Sequence, residues 1–151
     1  MPQELFELLQ ADHDRIRGIL DDLSETSEKA EKTRESGFKK LKGELIPHMR
    51  AEEKAFYPPL QEHDEAREVA LEALEEHHVA ESVLNELSDM SLNDERWGAK
   101  LQVFQEILEH HIEEEESEVF DAAEEVFEDE QLQEIFKQVK SIKQEVKAGV
   151  S

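Results

Sequence analysis

No cysteine occurs among the 151 residues of the chain. That excludes disulfides, thiolate-held metals, cysteine-ligated iron–sulfur clusters and cysteine nucleophiles together. Glycine and proline are scarce, at 5 and 4 residues, too little turn punctuation for many short strands, so a few long helices are expected. No apolar run approaches the ~20 residues that a bilayer span requires. The opening Met-Pro-Gln-Glu-Leu-Phe-Glu lacks the basic flank and apolar run of a secretory signal, so the expected location is cytoplasmic. Basic residues are few as well: 17 Lys and Arg stand against 40 Asp and Glu, for a formal net charge of -23. A surface this acidic repels nucleic acid and anionic membranes, and neither is expected as a partner. A Gly-rich phosphate loop and a serine-centred nucleophile motif are also missing, which argues against nucleotide and acyl-transfer chemistry.

What is present is charge and helical periodicity. The length suits one domain, spanning 1–151, with one core. Apolar residues at steps of three and four mark five helices. The first covers about 3–24 with Phe6, Leu9, Ile16, Leu20 and Leu23 on one face, and the second about 36–57 with Phe38, Leu41 and Leu45. The third covers about 64–88 with Ala70, Ala73, Ala80, Leu84 and Leu87, and the fourth about 94–126 with Leu101, Phe104, Leu108, Val119 and Ala122. The last covers about 130–147 with Leu132, Ile135, Val139, Ile142 and Val146. Pro47 predicts a kink, and Pro58-Pro59 is expected to end the second helix, because proline lacks the amide donor and clashes with the preceding turn. Ser91 to Asp94 offer N-cap side chains for the fourth helix, and residues 148–151 are expected to fray.

The chain repeats itself. ADHDRIRGILDDL from Ala11 aligns with EEHHVAESVLNEL from Glu75 and superposes His13 on His77. HMRAEEKAFY from His48 aligns with HIEEEESEVF from His111 and superposes both Glu52 on Glu115 and Tyr57 on Phe120. Two helix hairpins of one design, each with one apolar face, close naturally into an antiparallel up-down four-helix bundle. The fifth helix is read as a cap on that bundle.

Polar residues interrupt all four stripes in phase. His13 falls between Leu9 and Ile16, and His77 between Ala73 and Ala80. His48 with Glu52 continues the Leu41–Leu45 phase, and His111 with Glu115 continues that of Phe104 and Leu108. One histidine on an apolar face is ordinarily a hydrogen-bonded core residue. Two glutamates facing a core are harder to explain, because a buried charge must be paired or bind a cation. His-x-x-x-Glu sets both side chains on one helix face, about 6 Å apart at their roots, so the imidazole can hold a metal terminally while the carboxylate bridges two. Repeated twice, with one further histidine from each neighbouring helix, this yields two bridges and four terminal imidazoles. Mixed imidazole and carboxylate donors suit iron, manganese or zinc.

These motifs, ADHDRI around His13, HMRAEEKAFYP from His48, EEHHVAE around His77 and HIEEEESEVF from His111, resemble the hemerythrin-like HHE cation-binding family over residues of about 5–125. The resemblance implies an all-α bundle with a carboxylate-bridged pair of non-haem iron ions, held by His13, His48, Glu52, His77, His111 and Glu115. It also implies a small ligand (oxygen, hydrogen peroxide or nitric oxide), with a role in oxidative or nitrosative stress and catalase-like or reducing turnover as one form of it. An iron-dependent sensor or metal-storage module without turnover is the alternative, as a monomer or weak dimer with room for a partner protein. Oxygen-carrying members have a fifth histidine one turn after the third-helix ligand, where this chain has Glu81; Glu81 is a candidate seventh ligand or an outer carboxylate. His77 and His78 are alternatives within one helix phase, whereas choosing His110 over His111 would break the repeat. Glu53 and Glu116 are candidate acceptors for histidine N–H groups. Tyr57 is expected to pack, with a phenol near the site, and His63 is expected at the surface.

Overall fold

The structure, a computed structural model, describes residues 4–149, all of whose regular elements are helical. Helix α1 spans Glu4–Ser24 and α2 begins at Glu31–Ala51. The latter continues through a π-helical turn, Glu52–Phe56, into Tyr57–Gln61. Helix α3 spans Asp64–Asp89. Helix α4 repeats the plan of α2, with Trp97–Glu114, a π-turn at Glu115–Val119 and a last segment at Phe120–Val126. Helix α5 spans Asp129–Lys147. The first four rods form the bundle, α1 on α2, α3 on α4 and α1 across to α4, while α5 lies along α2 and α1. The fold is the expected one. The expected start of α1 at residue 3 and the fraying of residues 150 and 151 fall outside the described residues.

Each stripe that the sequence displays becomes a buried face. Leu9, Ile16, Leu20, Leu41, Leu45, Leu84, Leu101 and Phe104 are all buried. They do not form one continuous core. One apolar cluster gathers Leu5, Leu9, Phe56, Leu60, Ala66 and Val119 at one end, and another gathers Ile16, Leu41, Leu84, Trp97 and Phe104 at the other. The polar residues of the four stripes lie between them, held in a layer with apolar packing above and below.

Three local expectations are corrected. Pro58 and Pro59 do not end α2, which runs on to Gln61. The π-turn before them has already broken the regular ladder, and the prolines occupy the first turn of the next segment, where a missing N–H costs little. Helix α4 starts at Trp97 with no side-chain cap. Asp94 instead accepts the Arg96 amide at 2.8 Å, and the Trp97 amide bonds to the Asp94 carbonyl at 3.0 Å, so this turn precedes the helix. Helix α2 begins five residues earlier than expected, at Glu31, and brings Arg34 into the interior.

Arg34 joins the two connections at the end of the bundle remote from the polar layer. Its guanidinium donates to the Thr26 hydroxyl at 2.9 Å, the Thr26 carbonyl at 3.2 Å and the Leu92 carbonyl at 2.6 Å, and it stacks 4.8 Å from the Trp97 ring. A charged donor serving buried acceptors is costly to remove, because the acceptors stay buried and lose their partner. Arg34→Ala is expected to lose about 2–4 kcal/mol in urea unfolding while leaving metal content per folded chain unchanged, since its contacts are all remote from the histidines; a joint loss of metal would show that the two ends of the bundle are coupled.

Candidate metal centre

The layer between the apolar clusters contains His13, His48, Glu52, His77, His111 and Glu115, each at most 3% exposed. Both glutamates are fully buried. Two overlapping groups of donor atoms form, each lying within 4.8 Å of one another: His13, His48, Glu52 and Glu115 in one, and Glu52, His77, His111 and Glu115 in the other. The glutamates are common to both. The structure thus brings together all six residues singled out by helical phase. It also separates the neighbours: the side chains of His78 and His110 are 61% and 66% exposed. His63 is partly exposed at the start of α3, edge-on to Phe127.

Each histidine is oriented by a carboxylate on its outer nitrogen. Nδ1 of His13 lies 2.7 Å from Glu116, that of His48 2.8 Å from Asp12, that of His77 2.9 Å from Glu53, and that of His111 2.7 Å from Glu76. A carboxylate there fixes the tautomer with the proton on Nδ1 and aims the Nε2 lone pair inward. Glu53 and Glu116 thus take the role expected of them. Asp12 and Glu76 do so too, unanticipated, although each directly precedes a stripe histidine and the two superpose in the repeat. Glu81 forms an ion pair with Arg50, which also holds Glu53 at 2.8 Å. Glu81 is therefore placed in the outer shell rather than among the inner donors.

The π-turns finish the construction. Each begins at an inner glutamate, and each is closed by an amide five residues on: Tyr57 N–H to the Glu52 carbonyl, and Phe120 N–H to the Glu115 carbonyl. The wide turn stacks residue 57 over residue 52. Tyr57, expected mainly to pack, is fully buried and its hydroxyl reaches Glu52 Oε1 at 3.0 Å, Glu115 Oε2, and His77 Nε2 at 3.2 Å. Phe120 has no such group, so the phenol marks one half of the site only.

The donor atoms are incompletely satisfied. His13 Nε2, His48 Nε2, Glu52 Oε2 and Glu115 Oε1 are buried and make no hydrogen bond. His13 Nε2 lies 3.2 Å from Glu115 Oε1, and His48 Nε2 3.3 Å from Glu52 Oε1, without hydrogen-bond alignment. Lone pairs that face one another in a dry interior need a cation. These four atoms fit a bound cation, whereas His77 Nε2 and His111 Nε2 lie 3.1 Å apart and the first also meets the Tyr57 hydroxyl.

A sequence profile of the hemerythrin HHE cation-binding domain matches residues 4–123. The chain belongs to this family. The crystal structure of a hemerythrin HHE cation-binding domain-containing protein from Mycobacterium kansasii superposes with a TM-score of 0.82 at 26% identity, covering 95% of this chain and 87% of that one. A search of curated proteins finds no match. The two donor groups described above are where this chain could hold a cation.

Without metal, protons balance the inner carboxylates. Burial lowers the His48 pKa, but Glu52, Asp12 and Glu115 more than reverse this and push it up to about 10. His77 is likewise lowered by burial and raised by Glu52 and Glu53, to about 9. Burial raises the Glu52 carboxyl, and the histidines, His48 foremost, hold it well below the usual carboxylate range. At pH 7 both raised histidines therefore carry a second proton, on the Nε2 that a metal needs. Loading at pH 7 is expected to release about two protons per chain, and affinity is expected to rise from pH 6 towards 9 as those protons leave. Calorimetry in buffers of different ionisation enthalpy measures the release; uptake without it would mean that His48 and His77 are not donors.

Proposed function

We propose that the protein is a non-haem di-iron protein that binds or turns over oxygen, hydrogen peroxide or nitric oxide, in defence against oxidative or nitrosative stress. The observation that carries this reading is the sharing of Glu52 and Glu115 by two four-residue donor groups. One cation position with spare carboxylates would not need both glutamates to lie between two pairs of histidines. His13 and His48 would hold one ion, His77 and His111 the other, and Glu52 and Glu115 would bridge them. Imidazole and carboxylate donors in this ratio suit iron among the common metals, with manganese and zinc as competitors. A carboxylate-bridged iron pair supplies a two-electron change, which matches the reduction or disproportionation of such small molecules.

The chain itself controls access and protons. A cavity of about 10 Å³ adjoins the histidines, walled by Ile16, Leu45, Met49, Leu108 and Ile112. That is about the room for one water molecule, far below the ~300 Å³ or more of pockets for organic substrates. The size supports a ligand of two non-hydrogen atoms. Tyr57 keeps its proton, because burial and then the Glu115 and Glu52 carboxylates push its pKa well above 10. It is a hydrogen-bond donor fixed beside His77 and both inner carboxylates.

A sensor or storage module without turnover is the second reading, and the partly solvated α5 is where a partner would dock. The expected location is cytoplasmic, as a monomer or weak dimer. No helix among the described residues is long and apolar enough to cross a membrane.

Metal analysis with an optical spectrum, before and after hydrogen peroxide, tests the proposal. About two irons per chain with near-ultraviolet oxo-bridge absorption are expected. Rapid oxygen release indicates turnover, whereas a lasting coloured adduct favours sensing. A folded chain that cannot be loaded with iron would overturn the reading. Glu52→Ala is expected to lose most of the iron, and His63→Ala to retain it. Leu45→Ala, which opens the cavity wall, is expected to admit bulkier anions such as thiocyanate, seen as new charge-transfer bands; unchanged ligand selectivity would locate the ligand elsewhere.

A further inference from the structure

The internal repeat reaches the outer carboxylates and then fails in one respect. Asp12 and Glu76 are equivalent: each orients the histidine of the neighbouring His-x-x-x-Glu helix, His48 and His111 respectively. Their own partners differ. Lys143, from α5, is buried and its ammonium donates to Asp12 Oδ1 at 2.6 Å. Arg15 pairs with the same oxygen. Arg17 approaches Glu116, the other outer carboxylate of that half, at 4.0 Å. In the second half the bundle has no counterpart of α5. Among the described residues, no lysine or arginine pairs with Glu76. Its near neighbours are Glu114 and His110, whose ring lies 3.9 Å away and is largely exposed. Arg50 serves both Glu53 and Glu81 there.

We propose that the two metal positions are unequal and fill in order, the one between His77 and His111 first, because α5 lays Lys143 on the outer carboxylate of the other. This rests on the dinuclear reading above. An outer carboxylate strengthens a metal–imidazole bond by making the ring a better electron donor, and an ammonium on that carboxylate withdraws part of the effect. The buried Lys143 ammonium also repels an incoming divalent ion directly, with less solvent screening than the partly exposed Arg15 and Arg17. Of the cations around Asp12 and Glu116, Arg15 is shared with Glu44 and Arg17 is held by Glu109, so Lys143 is the buried cation committed to Asp12. In the second half, among the described residues, Arg50 pairs with Glu53 and Glu81, and Glu76 is left to His111 and its neighbour Glu114. Lys143 is thus a positioning residue for the centre, acting through Asp12 and His48.

The test uses the full chain, stripped of metal and titrated with cobalt(II). Two binding steps separated by about 10- to 100-fold are expected, the range that outer partners of metal-bound histidines control. Crystals grown with one equivalent should give an anomalous peak between His77 and His111 in the wild-type chain. Lys143→Met is expected to tighten the second step and draw the two together, and Glu76→Gln to weaken the first. Equal peaks at both positions, or a stronger one between His13 and His48, overturns the ordering, and the wild-type map decides this even if Lys143→Met does not fold. A chain that takes up no cobalt at all fails the metal-centre reading itself.

Discussion

Two carboxylates with no access to water, in the middle of a helical bundle, set the terms for everything around them. Glu52 and Glu115 are fully buried. An unpaired buried carboxylate costs several kcal/mol or gives up its charge. Here they keep a charge environment made of four imidazoles and a phenol. The bundle is divided into two apolar clusters to make room for that layer. The same residues that destabilise the metal-free chain become its strongest cross-links once a cation joins four helices. On the proposed metal centre, stability and metal occupancy would rise and fall together, as they do wherever the binding site is absent from the unfolded chain.

The duplication explains how such a site is assembled from so few instructions. A hairpin with His on one helix and His-x-x-x-Glu on the next supplies half the inner donors, and its flanking acids supply the outer shell for itself and its twin. Asp12 and Glu76 act within their own hairpins, on His48 and His111. Glu53 and Glu116 act across to the other hairpin, on His77 and His13. Each hairpin is thereby keyed to the other by polar contacts whose geometry admits one register. Apolar stripes alone would tolerate sliding; these pairs, with the shared glutamates, do not. The π-turns serve the same end. Inserting one residue at Glu52 and at Glu115 turns the following side chains inward: Tyr57 reaches the layer, and Phe120 packs in the adjoining apolar cluster, 4.6 Å from Phe6.

Periodicity made the inner residues legible, because burying a polar group in phase with leucines leaves an unmistakable gap in the stripe. The repeat favoured His111 over His110, but His77 and His78 stayed alternatives within one helix phase, and the structure buries His77 while His78 is exposed. Periodicity could not reveal the π-turns, since a one-residue bulge shifts phase only locally and both helices resume their pattern. That is why Tyr57 read as packing and why Pro58-Pro59 read as a helix end. Arg34 was missed because its stripe begins only at Phe38; a buried arginine joining two loops has no periodic signature. Lys143 carried a faint signal, one turn beyond Val139 and adjacent to Ile142. Apolar Ile142 was the natural choice for the stripe, yet Lys143 is the more buried of the two.

That last exchange changes the meaning of α5. A helix that merely covered the bundle would present leucine or valine at that position, and the layer would keep the twofold character of its sequence repeat. Instead α5 covers one side and contributes a cation to it. Asp12 is driven up by its burial and brought down to about 2 by His48 and Lys143, in keeping with the ion pair that its Oδ1 makes with the Lys143 ammonium at 2.6 Å. A symmetric pair of metal ions has no reason to direct a small molecule to one ion over the other. On the proposed ordering, a pair held in unequal fields, with an ammonium behind one position, does. The element added outside the repeat would then be the one that gives the duplicated centre a direction.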